Sequence, residues 1–401
     1  MISAISQEVR DIIPELIAWR RHIHENPELS FEEVNTTAFI EEKLRSFGIT
    51  EIDKPTKTGL IAHIYGTKPG TPGVLAIRAD IDALPMPEKN DLPFASKVEN
   101  VMHACGHDGH TAMLLATAKL LFASRDSFCG EARLIFQHAE ELPPGGAIEM
   151  QRAGVMEGAD AILGLHLSSE YPLGAFCIKS GALTSNVDRF DITMTGKGGH
   201  CALPESCIDP IVMTSELVMA LQTVVSRRMA GTEPAVLSIC QFNAGTAYNI
   251  IPGFATLSGT TRTFSKESRA HIEAEIRKVC DGVAQVYGGK AEVVWSPGYP
   301  SVYNDPALTQ TATEIIRSRF GEAGVHPIGC LTPGEDFSYF HENCPGFFAD
   351  LGTRSDKPGT HMPHHNSGYI MDEDALPCGV QYEVDMVRAL LDGSRSLLPR
   401  A

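Results

Sequence analysis

No stretch of this 401-residue sequence approaches the ~20 consecutive apolar residues that a membrane-spanning helix needs, which argues against a membrane-embedded chain. Positive charge is also scarce: 33 Lys and Arg against 50 Asp and Glu give a formal net charge of −17. Nucleic acid and anionic membrane surfaces are therefore poor candidates for the main partner. The opening residues, "MISAISQEVRDIIPELIAWRRHIH", lack the basic start and apolar run of a signal peptide, so a soluble, cytoplasmic protein is expected. Ten cysteines are scattered without any C-x-x-C spacing, which weakens thioredoxin-type and zinc-knuckle readings. A chain of this length with an ordinary apolar fraction of 43% needs no disulfide staples, so reduced thiols are expected. Internal repeats and low-complexity tracts are absent.

The length exceeds what one hydrophobic core usually serves, so two domains are expected. Up to about Ser185, apolar runs alternate with helical patterns. "GVLAIRADIDAL" (73–84), "EARLIFQHAEE" (131–141) and "DAILGLHLS" (160–168) read as buried strands ending in polar residues. "DGHTAMLLATAKLLFAS" (108–124) reads as a helix with Asp108 as its N-cap. Such alternation predicts an α/β domain, a sheet flanked by helices, whose sites gather at the carboxyl ends of the strands. Asp80, Glu140, Glu141 and His166 all fall near such ends. From about Val187 to Ser296 the rhythm becomes βαββαβ, the order of a ferredoxin-like unit, with Ser265 capping its second helix. The expected division is a first domain over 1–185, an inserted ferredoxin-like domain over 186–297, and the return of the first domain over 298–401.

"MHACGHDGHTAML" (102–114) places His103, Cys105, His107, Asp108 and His110 at the start of a helix. A lone cysteine is usually a small buried hydrophobe. Here the thiol has imidazole and carboxylate neighbours, so a division into two metal ligands with supporting partners is reasonable. Glu140 and Glu141 precede "LPPGGA". Neighbouring strand residues point to opposite faces, so two site carboxylates require the chain to twist there. One could then ligate a metal while the other moves a proton; the bland alternative is a solvated acidic pair. His166 lies in an apolar run, where a satisfied core histidine is the alternative. In "HMPHHNSGY" the residues themselves leave the choice among His361, His364 and His365 open.

Eight segments in order, "RRHIHENPELSFEE" (20–33), "IRADIDALP" (77–85), "MHACGHDGHTAML", "FQHAEE" (136–141), "GKGGHCALP" (196–204), "NIIPG" (249–253), "GTTRTF" (259–264) and "GEDFSYF" (334–340), carry a resemblance. The chain resembles the aminoacylase/carboxypeptidase-type metallopeptidases, and among them the branch of hippurate hydrolase and the N-acyl-amino-acid and auxin-conjugate amidohydrolases. The resemblance implies a metallopeptidase-type catalytic domain with a mixed sheet, and an inserted dimerisation or lid domain. It implies two divalent metal ions, zinc or manganese with cobalt or nickel also admitted, on Cys105, His107, Glu141, His166 and His365. It further implies Glu140 as general base, His200 at the reacting carbonyl, and Asn249 and Arg262 at the substrate's carboxylate. The implied substrate is a small N-acyl amino acid, and the implied assembly a homodimer.

The sequence departs from the wider clan at two places. Arg78 stands where a metal-binding histidine is found two residues before Asp80, so Asp80, like Asp108, is expected to support ligands. His138 stands where the branch has proline, with a possible effect on the mouth of the site. Competing readings are a dipeptidase, an acyl-diaminopimelate deacylase and a catalytically silent metal-binding protein. A zinc nucleobase deaminase lacks its P-C-x-x-C here.

Overall fold

The three apolar runs form the strands Gly73–Asp80, Cys129–Gln137 and Ala161–Pro172 in the computed structural model, which describes residues 4–393. They lie side by side and parallel, and Gly346–Arg354 joins parallel beyond Ala161–Pro172. Leu60–Thr67 and Ile52–Asp53 extend one edge antiparallel, while Phe176–Ile178 and Val325–Pro327 complete the other. The result is an eight-stranded mixed sheet. Its parallel centre is apolar without alternation because both faces are covered. Helices Gln7–Glu25, His107–Ala123 and Leu376–Leu390 pack on one another and share one core with the sheet, through Leu16, Leu114, Leu134, Leu163 and Val384 among others.

Two element ends differ from the sequence expectation, and both matter for the site. The helix begins at His107 and its N-cap is Gly106, not Asp108. Gly106 has φ 92°, a left-handed conformation that glycine adopts without the cost a side chain would incur. Asp108 is then free to turn inward, and it is fully buried. The strand expected to run to Glu141 stops at Gln137. Ala139 is left-handed (φ 50°), and Gly146 passes so close that a Cβ there would lie 1.9 Å from the His138 carbonyl oxygen. His166 sits within its strand, which continues to Pro172.

A second unit comprises residues 182–301 with 330–335. It is longer than 186–297 at both ends: Leu331 donates its N–H to Leu183 O and the Ser185 hydroxyl donates to Thr332 O, while the Ser301 N–H donates to Asn186 Oδ1. Its four strands, in the order Val236–Ala244, Phe254–Thr263, Asn186–Thr195 and Lys290–Pro297, are all antiparallel. Helices Pro210–Thr223 and Lys266–Tyr287 pack together over Phe190, Ile192, Met194 and Leu257. This is the ferredoxin-like arrangement. Both helices start on a side-chain cap: Asp209 accepts the N–H of Ile211, and the Ser265 hydroxyl, as expected, that of Ser268.

Within the first unit, Glu383 lies fully buried on Leu376–Leu390 and accepts the Thr117 hydroxyl at 2.5 Å. Burial lifts its carboxyl from 4.5 to about 8. Between those pH values the folded chain holds one more proton than the unfolded chain, so stability falls as pH rises and levels off above about 8. Urea unfolding at pH 5 and pH 8 should show Glu383→Gln losing less stability than the wild type, by up to ~1.4 kcal/mol per pH unit. Equal losses in the two proteins would contradict this.

Candidate metal centre

One helix start, the turn beyond a strand, a histidine within a second strand and a loop bring the donors of the first unit together. Gly106 turns the chain so that Cys105, before the helix, and His107, its first residue, both join the cluster. Cys105, His107 and Glu141 present Sγ, an imidazole nitrogen and a carboxylate oxygen within 4.8 Å of one another. Cys105, His166 and His364 do the same, so one thiol is common to both groups. Cys105 Sγ lies 3.4 Å from His166 Nε2, and His365 Nε2 lies 3.1 Å from Glu141 Oε1. His365 thus touches the cluster through Glu141, while His364 enters it directly. Glu140, beside Glu141, is buried.

The imidazoles are oriented from behind. His107 Nδ1 lies 3.0 Å from Asp82 O and 3.1 Å from Asp82 Oδ1, so this nitrogen donates, and in the neutral ring Nε2 is the one with the lone pair. Similarly, His166 donates from Nδ1 to Leu167 O at 2.8 Å, leaving Nε2 facing Cys105. His107 Nε2 and His364 Nε2 are buried without a hydrogen-bond partner. Buried nitrogens with free lone pairs next to a thiol and a carboxylate are the donors a borderline divalent cation takes. The residues present therefore fit a metal.

The remaining polar residues support this cluster. Asp80 Oδ1 accepts His110 Nδ1 at 2.6 Å, and Asp80 Oδ2 accepts Arg78 Nη1 at 2.8 Å. Burial alone would raise the Asp80 carboxyl, but the charges of Arg78, His107 and His110 hold it well below its ordinary range. Although His110 lies close to Asp80 and His107, its Nε2 accepts the Leu167 N–H at 2.8 Å, so both its nitrogens are engaged. Arg78, at the clan's histidine position, also binds Gln137 Oε1 at 2.6 Å and Asp336 Oδ1 at 3.0 Å. It is a fixed buried cation rather than a ligand. Asp108 Oδ2 forms an ion pair with Arg20, 2.9 Å from its Nε, and accepts His24 Nδ1 at 2.7 Å, behind the helix start.

The electrostatics show how much negative charge is concentrated here. Burial works against a charged His107, yet Asp80, Asp82 and Glu141 raise it to about 10. Burial and the same carboxylate neighbourhood push the Cys105 thiol well above its usual value. A cation at the cluster reverses that logic and favours thiolate. Burial lowers His364 to about 4 and His166 well below its ordinary range, which keeps both rings neutral and able to ligate.

Not every candidate joins. His361 is exposed, and neither it nor His103 belongs to a described donor group. His138 is buried, with Nε2 3.2 Å from Glu149 and its ring edge-on to Phe31, so its effect is on packing behind the turn. His200, Asn249 and Arg262 belong to the second unit. There His200 and Ile250 are paired, which puts Asn249 beside the histidine. Arg262 lies on Phe254–Thr263 opposite Val187, and its Nη1 donates to Thr261 O at 2.9 Å. Asp82 and Glu33 escaped the sequence reading. Spacing could have exposed Asp82, two residues beyond Asp80 in an extended stretch. Glu33 carries no such signal, because the partner that ties it to the site, Ala139, lies about a hundred residues away.

Thiol, imidazole and carboxylate donors clustered at the carboxyl ends of a mixed sheet define a metal-dependent hydrolase. The sequence profile of Peptidase family M20/M25/M40 matches residues 76–389, and the chain belongs to that family. It is 45% identical to an N-acetylcysteine deacetylase of Bacillus subtilis (strain 168), covering 94% of this chain and 97% of the relative. It is 46% identical to an N-acyl-L-amino acid amidohydrolase of Geobacillus stearothermophilus, covering 79% and 86%. A crystal structure from Bacillus subtilis, described as a dinuclear metal-binding peptidase of the M20 family, superposes with a TM-score of 0.83 at 40% identity, covering 96% of this chain and 99% of that one.

Since Cys105 is common to both donor groups, its loss should be felt by both. Cys105→Ala should retain less divalent metal after dialysis than His166→Ala, by elemental analysis of folded protein. Equal retention would mean that the thiol is not shared.

Proposed function

We propose that this chain hydrolyses the amide bond of N-acyl amino acids, releasing a carboxylic acid and a free amino acid, at a centre of two divalent metal ions. The observation that carries this reading is the pair of three-donor groups meeting at Cys105, with the buried Glu140 alongside. The names of the relatives support the substrate class. Cys105, His107, Glu141, His166 and His365 are the proposed ligands, with His364 close enough to assist. Thiolate and imidazole suit zinc, carboxylate also admits manganese, and cobalt and nickel accept the same donors. When bound, such ions acidify a water and polarise the substrate carbonyl.

Glu140 takes the proton of the attacking water and returns it to the leaving amine. It suits that task because it adjoins a ligand without being needed as one. His200 stabilises the oxyanion. Its Nδ1 accepts the Ala202 N–H at 3.1 Å, so in the neutral ring the proton sits on Nε2, ready to donate. Asn249 and Arg262 hold the substrate carboxylate; a guanidinium matches that group with two parallel hydrogen bonds. All ten cysteines are unpaired, which suits a reducing cytoplasm. Among the described residues no helix is long and apolar enough to cross a membrane.

A screen of N-acetyl, N-benzoyl and N-carbamoyl amino acids with each of the four metals tests the reading directly. Cleavage of none would overturn it. Glu140→Gln keeps size but cannot accept the proton, so metal and substrate should still bind while turnover falls by ~10²–10⁴. Glu141→Gln should lose metal as well as rate. Metal analysis with single-turnover rates separates this assignment from its reverse, and from a solvated acidic pair that leaves both variants near wild type.

We further propose a homodimer formed through the second unit. Val236–Ala244 is an edge strand of its sheet, and Ile211, Val212 and Met219 are exposed on one helix. An edge and an apolar helix surface of this kind are covered by pairing across a two-fold axis. Light scattering at assay concentration should give twice the 43.4 kDa chain mass; a fully active monomer would contradict this.

A further inference from the structure

Four non-glycine residues among those described have left-handed backbone: Phe31, Asn100, Ala139 and His365. Such conformations are disfavoured for residues with a Cβ and persist where surrounding contacts impose them. Two of the four are held by a single atom. Glu33 Oε1 accepts the N–H of Phe31 at 3.0 Å and that of Ala139 at 2.8 Å. Its other oxygen accepts the Thr58 hydroxyl at 2.8 Å. The side chain is wholly buried and does not cap the helix Val34–Ser46 that follows it. The two left-handed turns also pack together, with the Phe31 and His138 rings edge-on at 5.6 Å.

Ala139 immediately precedes Glu140 and Glu141. Between the two, the Glu141 N–H donates to Asp82 Oδ2 at 3.0 Å. Two buried carboxylates thus grip the peptide on either side of Glu140. Adjacent residues would point oppositely in a strand, and this grip is what turns the chain out of Cys129–Gln137 before the glutamates are reached.

We infer that Glu33 is a positioning residue for the reaction: by holding Ala139 left-handed it sets the directions of Glu140 and Glu141. This rests on the proposed roles of those two glutamates. Asp82 closes the other end of the turn, but it also binds His107, so Glu33 is the cleaner residue to alter. The required property is an acceptor at the Oε1 position. Glutamine keeps one, and the Thr58 hydroxyl can rotate to accept from the new amide; alanine has none, and aspartate is one methylene too short.

The experiment uses the full chain, with zinc affinity read by competition against a chromophoric chelator, and with kcat and KM on the N-acetyl amino acid the wild type cleaves best. Glu33→Ala should weaken zinc binding and lower kcat by about 10–100-fold, the range seen when residues behind a ligand are lost. KM should change little, because the group does not touch substrate. Glu33→Gln should restore both readouts to near wild type, a rescue that loss of general packing does not predict. Thr58→Val, which removes only the Oε2 contact, should leave both nearly unchanged. If Glu33→Ala does not fold, Glu33→Asp takes its place with the same expectation. Folded Glu33→Ala or Glu33→Asp with wild-type zinc affinity and kcat would overturn the inference, as would Glu33→Gln as impaired as the alanine variant. A wild type that binds zinc but cleaves no N-acyl amino acid would remove the proposed function, and the zinc affinities of the variants would still decide the role of Glu33.

Discussion

The constraint on which this structure depends is charge compensation in a buried space. Asp80, Asp82, Cys105, Glu140 and Glu141 converge at the ends of a few strands and one helix, where water cannot solvate them fully. Burying an ionised carboxylate without a partner is costly enough that the group would normally take up a proton. The chain responds with cations and hydrogen-bond donors fixed from behind. Arg78 spans Asp80 and Asp336, while Arg20 and His24 share Asp108. These partners stabilise Asp80 and Asp108, but among the described residues no fixed arginine or lysine pairs with Glu141 or the Cys105 thiol. A divalent ion is the species that would answer that residual charge, so the Arg78 departure from the clan reads as a redistribution: the fixed cation serves the support layer and the metal serves the front.

The same logic explains why so many histidines are present and why they are not interchangeable. A neutral imidazole has one donor and one acceptor nitrogen, and the contact made by one decides the chemistry of the other. His107 spends its Nδ1 on Asp82 and His166 on Leu167 O, which frees Nε2 in both. His110 uses both nitrogens and ties Asp80 to the strand carrying His166. Counting histidines in "MHACGHDGHTAML" cannot separate these roles.

Much of the architecture was legible because it follows from periodicity and capping. The βαββαβ rhythm, Ser265 as a cap and the parallel apolar runs are local or repetitive signals, and the structure carries them at nearly the same positions. Cys105, His107, Glu141 and His166 could be nominated because thiol, imidazole and carboxylate are unusual in such places. What could not be read were features set by distant contacts. Asp108 has the composition of an N-cap, yet it faces Arg20 and His24, and Gly106 caps the helix through its backbone. The strand before Glu140 ends early because a residue about a hundred positions away accepts the Ala139 N–H. The entry of His364 alongside His365 depends on how a loop folds back, which spacing does not encode.

The donors come from four separated segments, and this raises the question of what assembles them. In small zinc domains the metal itself supplies the folding free energy. Here the segments are joined by the protein's own hydrogen bonds. The His365 N–H donates to Ala104 O at 2.9 Å, next to Cys105; the Glu141 N–H reaches Asp82, which also holds His107; and the Leu167 N–H, next to His166, reaches His110. Each link ties the backbone at or beside one donor to the segment or support of another. A site joined in this way is preorganised by the scaffold, so the free energy of metal binding is not consumed in ordering the loops. That arrangement suits a catalytic centre, where ligands must hold their geometry while water, substrate and proton change places around them.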